Sequence, residues 1–243
     1  MIRIKIMSGT ERFRACLYAV SLAAPATVLL SGCAGLSQPG DDMPDFVRGG
    51  ISHEYYDGRT DDLLTGGLGS AGLAKSAPPA FADPTHPTPA ELRTRAIHSN
   101  YRALVDMTPG GGYGTLYGPA VGIGGLGMIA GHEYLALADH GEGEGVTIMV
   151  QVPDSFGMGQ TCIVTAPSSA SRGVYGAIAT AGEWGLKRGC AVAYTDKGTG
   201  MGVHDLSADT VTLITGERAP AASGSDRATF RAGLDEAARA AFN

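Results

Sequence analysis

Metal-binding spacings are missing from this sequence. Its 243 residues hold six scattered histidines and four cysteines, with no CxxC and no HxxxH. Neither a zinc ribbon nor a helical metal site is therefore expected, and no metal or cofactor. Basic residues do not cluster after Arg14 and the formal charge is -6, so the chain carries no electrostatic footprint for a nucleic acid. The apolar run Ala15–Leu30 is short for a membrane span and Pro25 interrupts it. No GxSxG occurs, so the usual serine-nucleophile turn is absent as well.

Glycine is abundant, at 37 residues, which favours loops and close backbone packing over long helices. Met1–Arg14 carries Arg3, Lys5, Arg12 and Arg14 against Glu11, and an apolar segment follows that ends Leu30-Ser31-Gly32-Cys33. This is the layout of a secretory signal over 1–32. Its Leu-Ser-Gly-Cys ending is similar to a lipobox, which would place a lipid on Cys33 and make that lipid the chain's only membrane attachment. The expected location is exported: extracellular or periplasmic, with anchoring to the cell envelope through Cys33. Residues 33–45 read as a tether and 46–243 as the folded part.

The centre of that part is Thr161–Gly200. Cys162–Ala166 and Cys190–Thr195 are short apolar runs with the character of buried strands. Between them Val174, Ile178, Ala181 and Gly185 recur at helical spacing. Ser171 is placed to cap that helix, Lys187 and Arg188 complement its dipole, and Gly189 follows as its C′ residue. Strand, helix and strand predict a βαβ unit with parallel strands. Both strands read as apolar on both faces, the pattern of a sheet covered on both sides. Cys162 and Cys190 each open one strand, so neighbouring strands would bring them together as a disulfide, with two reduced buried thiols as the alternative.

In sheets of this kind ligands bind beyond the carboxyl ends of the strands. Here that edge carries Pro167–Gly173 and Asp196–Gly200. Ser169, Ala170, Ser171 and Arg172 are the candidates for oxyanion stabilisation and substrate binding. The loop offers backbone N–H donors, and Arg172 offers a guanidinium suited to a carboxylate.

The strings PSSASRG-VYGAI and GEWGLKRGCAVAYTDKGTG resemble the bacterial 3-hydroxybutyrate oligomer hydrolases. So do YYDGRTDDLLTGGLG (55–69), NYRALVDMTPGGGYGTLYGP (100–119) and MVQVPDSF (149–156). The resemblance runs from about Phe46 onward. It implies a serine-type carboxylic ester hydrolase that releases 3-hydroxybutyrate from short oligomers, on an α/β-hydrolase-like fold. It also implies a longer chain, because the family's serine sits in an SNGG-like turn that is absent here. The nucleophile, histidine and acid are thus expected beyond Asn243, with no catalytic residue inside the chain. The fold expected is α/β: an incomplete α/β-hydrolase-like sheet with an antiparallel start, a parallel βαβ unit and glycine-rich N-terminal loops. The alternative is a cell-envelope lipoprotein with a binding or structural role and no catalysis.

The remaining elements are local readings. Thr88-Pro89-Ala90-Glu91 predicts a capping box and a helix whose apolar face holds Leu92, Ala96, Ile97, Leu104 and Val105. Residues 133–138 and 146–152 predict a hairpin. Gly122, Gly124 and Gly127 formally match GxGxxG, but Pro119 precedes them where a dinucleotide fold needs a strand. Asp61 and Asp62 read as solvated turn acids. Ser169 or Ser171 with His204 and Asp196 or Asp205 forms a second, less suitable serine constellation, on the wrong turn for the fold. Ser225 reads as the cap of a last helix with Phe230, Leu234, Ala238 and Ala241 on one face.

Overall fold

A computed structural model describes residues 43–122, 125–139, 145–159, 161–168, 172–198, 202–224, 227–234 and 238. The signal segment, Cys33, most of the tether, Ser169, Ala170, Ser171 and Ser225 lie outside the described residues, as do Ala241 and the hairpin tip at 140–144.

The described part is a mixed α/β structure built on a five-stranded sheet. Its strands are β1 (Val47–Tyr56), β2 (Gly131–Ala138), β3 (Val146–Pro153), β4 (Ile163–Pro167) and β5 (Ala191–Thr195), in the spatial order β1-β2-β3-β5-β4. β1, β2, β3 and β5 pair antiparallel in turn, and β4 pairs parallel with β5. The expected hairpin and the parallel pair both form. β2 opens on Gly131 (φ 156°), where a side chain would collide with the Val152 carbonyl. A smaller sheet follows, β6 (His204–Asp205), β7 (Thr210–Thr212) and β8 (Arg218–Pro220), all antiparallel.

Helix α1 (Gly69–Leu73) is a single short turn, whereas α2 (Pro89–Leu104) is the long one. The Thr88 hydroxyl accepts from the Glu91 N–H and the Glu91 carboxylate accepts from the Thr88 N–H, so the capping box forms as the spacing predicts. The inward stripe differs from the expected one by a residue. Arg93, Ile97 and Tyr101, at i, i+4 and i+8, are buried, while Leu104 is exposed. A buried arginine that is fully paired can take a core position, and a purely hydrophobic stripe misses it.

The β4–β5 connection is helical but not one α-helix. It runs as a 3-10 turn (Val174–Ala177), a π turn (Ile178–Gly182) and a final α turn, α3 (Glu183–Leu186). Gly176, Gly182 and Gly185 fall inside it, which weakens regular helix. They also let Ser168, Tyr194 and Val192 press against its backbone where side chains would otherwise stand. The last expected helix is not formed over the described residues 227–234, although Ala238 beyond them is helical. Ala228 instead bridges Leu213, and Thr229 donates its N–H to the Thr212 carbonyl at 3.0 Å, so these donors serve β7.

One face of the large sheet packs. Met149, Gln151, Ala166, Val192 and Tyr194 meet α2 and the helical connection around Leu63, Ile97, Tyr101, Val174 and Ile178. The other face is open at the edge strands among the described residues: Ile163 is 61% exposed, Ile51 56% and Tyr55 52%, whereas Ala191 and Val152 are buried on it. The expectation of two covered faces is therefore corrected for β4 and not for β5. β4 is an edge strand whose alternate residues Ile163, Thr165 and Pro167 face outward.

Cys162 and Cys190 form a disulfide, with 4.7 Å between their Cα atoms and 28 residues of separation. It closes the βαβ unit at the amino ends of its two strands. Loop-closure entropy for that separation corresponds to about 3.5 kcal/mol. Reduction, or the Cys162→Ser/Cys190→Ser variant, is expected to lower unfolding free energy by about that amount, read by urea unfolding with and without reductant. An unchanged midpoint would count against it.

Candidate functional site

The carboxyl ends of β4 and β5 lie side by side, with Pro167 opposite Thr195. The Ser168 N–H donates to the Thr195 carbonyl at 2.8 Å, and Asp196 donates its N–H to the Thr147 carbonyl at 3.0 Å. Thr147 returns a bond, its N–H to Asp196 Oδ1 at 2.9 Å, and the Gly198 N–H adds another at 3.0 Å. These bonds lock the first residue after β5 to the start of β3. Among the described residues, three buried polar atoms here have no hydrogen-bond partner: Asp196 Oδ2 and Thr147 Oγ1 at this edge, and Arg172 Nη1 in the connection that follows β4. Native interiors leave few such atoms, and ordered water is a common partner for them.

Thr147 also lines a cavity of about 560 Å³ on the packed face of the sheet. Its walls include Tyr56, Leu92, Leu135, Tyr175 and Leu213, so it lies between the first turns of α2, strands β1 and β2, and the small sheet. Its floor is a buried polar network. Arg93 forks onto Glu133, Nε to Oε1 at 3.1 Å and Nη2 to Oε2 at 3.2 Å. It also donates to Asp61 Oδ1 at 2.9 Å and the Asp62 carbonyl at 3.0 Å, and it lies 3.8 Å above the Tyr56 ring. Glu133 accepts further from the Tyr175 hydroxyl and Gln151 Nε2, both at 2.7 Å. Tyr194 in turn donates to Gln151 Oε1 at 2.7 Å.

The electrostatics follow from this packing. Burial alone would lower the Arg93 pKa, but the Glu133 carboxylate, with Tyr175 and Tyr56, holds it well above the ordinary value. Burial, and then the Glu133 charge, raise Tyr56, Tyr175 and Tyr194. Burial raises Asp61 and the Arg93 charge opposes it. A second buried carboxylate, Glu183, accepts from Tyr101 at 3.1 Å, the Gly118 N–H at 3.0 Å and Lys187 at 3.1 Å, and so pins the glycine-rich loop to the helical connection.

Of the expected site residues, Arg172 is at the sheet edge, half-buried, and its carbonyl accepts from Asn100 Nδ2 at 3.5 Å. Ser169, Ala170 and Ser171 lie outside the described residues. His204 does not stand ready as a base: its Nε2 meets Asp209 Oδ1 at 3.1 Å and its Nδ1 accepts the Ala232 N–H at 3.1 Å. Asp205 is spent on the turn at Ser207 and Ala208. Asp62 corrects another expectation. Rather than solvated, it is 0% exposed and accepts from the backbone N–H groups of Leu64, Thr65, Gly67 and Ile129. Tyr113 and Tyr117 donate to loop carbonyls at Ser70 and Asp106 and do not line the cavity. The Arg93–Glu133 network was missed. Its signal was the inward alternation Glu133-Leu135-Leu137 facing Gln151-Met149-Thr147, with Arg93 four residues before Ile97.

Among the described residues no three His, Cys, Asp or Glu side chains gather as a metal site, and no helix is long and apolar enough to cross a membrane. A family model described as 3HB-oligomer hydrolase matches residues 29–243. The chain is 55% identical over 231 residues to a D-(-)-3-hydroxybutyrate oligomer hydrolase of Burkholderia vietnamiensis, covering 92% of this chain and 33% of the relative. A protein of the same name from Polaromonas sp. is 51% identical over 246 residues, covering 98% and 34%. The chain thus spans about a third of the length of the curated relatives it matches. No solved structure matches it.

Removing one partner of the buried pair leaves the other charge stranded. Arg93→Met and Glu133→Leu are each expected to cost about 3 to 5 kcal/mol in urea unfolding, and the double variant less than the two losses summed. Strict additivity would show that the two residues do not act as a pair. The tyrosines set an alkaline limit. Tyr101 is raised by burial and then by Glu183, and the three beside Glu133 are raised likewise, above the ordinary phenol value of 10.0. Their contribution is complete below that value and is lost as pH rises through the higher folded-state values. Phenolate absorbance of these residues should therefore appear together with loss of helical circular dichroism, not before it.

Proposed function

The chain belongs to the 3HB-oligomer hydrolase family, and from that premise we propose that it supplies the first part of a serine-type carboxylic ester hydrolase acting on short 3-hydroxybutyrate oligomers. Its share is the opening of an α/β-hydrolase-like sheet, the substrate wall and one half of the oxyanion hole. The nucleophile, base and acid belong to polypeptide outside these 243 residues. The observation that carries this reading is the sheet: an antiparallel pair, β2 and β3, then strand, helix and strand, with β5 inserted between β3 and β4. That is how such a sheet begins, and it leaves β4 as an exposed edge where a further strand pairs.

The chemistry assigns roles along the edge. Attack of a serine oxygen on an ester carbonyl builds negative charge on the carbonyl oxygen, which preorganised N–H donors stabilise. The loop after β4, residues 168–172, is where this fold places one of those donors. A 3-hydroxybutyrate oligomer carries a hydroxyl at one end and a carboxylate at the other. Arg172 Nη1, a buried donor, suits the carboxylate, and Asp196 Oδ2, a buried acceptor, suits the hydroxyl; neither has a partner among the described residues. The cavity beside Thr147 offers apolar wall from Leu135 and Leu213 to the methyl-bearing backbone between them.

The purified chain, mixed with 3-hydroxybutyrate dimer and trimer, is expected to release no monomer, and Ser169→Ala and Ser171→Ala are expected to change nothing. Binding of the trimer, followed by calorimetry, should weaken in Arg172→Ala. Turnover abolished by one serine substitution would put the nucleophile in the β4 loop and overturn the division of labour. Trimer binding indifferent to Arg172 would overturn its role.

A further inference from the structure

The open face of the sheet carries a histidine pair that the catalytic reading does not use. In the β1–β2 register His53 stands opposite Tyr134 and Tyr55 opposite His132, so the two histidines are diagonal neighbours on the outward face. His53 Nε2 lies 2.9 Å from His132 Nδ1. Both rings have aromatic neighbours. His53 stacks on Tyr134 with centroids 4.6 Å apart and 12° between planes, and Tyr55 packs beside His132 at 4.9 Å. Tyr55 is fixed in turn by its hydroxyl, which donates to Asp154 Oδ2 at 3.1 Å.

We propose that His53 and His132 form a two-imidazole chelate for a divalent copper or nickel ion, which clips edge strand β1 to β2. The spacing carries the argument. With metal–nitrogen bonds of about 2.0 to 2.1 Å, two nitrogens 2.9 Å apart subtend about 90° at the metal. That is the angle between adjacent positions of a tetragonal Cu(II) or Ni(II) site, whose other positions water fills. A tetrahedral zinc site asks for a wider separation. As neutral rings the pair shares one N–H···N hydrogen bond, so one facing nitrogen carries a hydrogen. Binding moves that proton to the other nitrogen of its own ring, and each ring turns by about 45° from the N···N line so that both lone pairs meet at the ion. The affinity series for first-row metals favours copper. Because the ligands sit on different strands, a bound ion stabilises the pairing of β1 and raises the unfolding temperature by mass action.

The test titrates the purified chain with Cu²⁺ alone, and separately with Ni²⁺ alone, by calorimetry, with thermal melts at each step. One saturable ion per chain is expected, with a rise in melting temperature and two coupled imidazole nitrogens in the Cu²⁺ electron paramagnetic resonance spectrum. Both responses should be lost in His53→Ala and in His132→Ala and kept in His86→Ala, which removes an exposed loop histidine elsewhere. Metal-free melts check that the variants fold. If either does not, the nitrogen couplings of the wild-type chain decide alone. Absence of saturable binding, binding retained in either variant, or fewer than two coupled nitrogens overturns the proposal.

Discussion

The buried pair of Arg93 and Glu133 is the constraint on which the rest of this structure depends. Taking two ions out of water is costly, and their attraction offsets that cost only when the remaining donors and acceptors are also paired. Here they are. Both Glu133 oxygens are used, by Arg93, Tyr175 and Gln151, and Arg93 spreads its remaining bonds over Asp61 and the Asp62 carbonyl. One salt bridge thereby sets the relative positions of α2, β2, β3, the 3-10 turn after β4 and the 61–63 loop. Apolar burial would hold the same elements together but would tolerate sliding. Directed bonds on both carboxylate oxygens do not.

The same device recurs wherever the chain is rich in glycine. Loops without large side chains have little apolar surface with which to dock, so their backbone donors do the docking. Asp62 gathers the N–H groups of Leu64, Thr65, Gly67 and Ile129. Glu183 takes that of Gly118, and Asp196 those of Thr147 and Gly198. Buried acids thus do for these loops what leucines do for a helix. This explains how a chain with 37 glycines still places Leu63, Leu64 and Leu73 in a fully enclosed core.

That logic also decides what was legible in the sequence. Features that rest on local rules were read correctly: the Thr88–Glu91 capping box, the hairpin of β2 and β3, the parallel pair β4 and β5, and Gly189 at positive φ after α3. Features that rest on tertiary polar bonding were not. Composition makes Asp62 a surface acid, and only the fold turns four backbone donors toward it. Arg93 breaks a hydrophobic stripe on paper yet lies on its buried centre line with Ile97 and Tyr101. Helical periodicity over 174–186 was right about Val174, Ile178 and Gly185 but wrong about Trp184, which is exposed, and wrong about the form, because three glycines let neighbouring side chains press into the turn. The two-sided apolar pattern of β4 and β5 describes the residues faithfully, but pattern alone does not say what covers the second face.

At the sheet edge, the sequence points to the loop after β4, and the geometry adds polar atoms at the start of β3 and the end of β5. An unsatisfied buried donor or acceptor costs about 1 to 3 kcal/mol, and this edge holds a donor on Arg172, an acceptor on Asp196 and a hydroxyl on Thr147. Thr147 joins the two halves of this arrangement, since its N–H is tied to Asp196 while its side chain borders the cavity. A substitution at Thr147 therefore bears on the loop after β5 and on the cavity wall together, and effects at the two places cannot be separated through that residue.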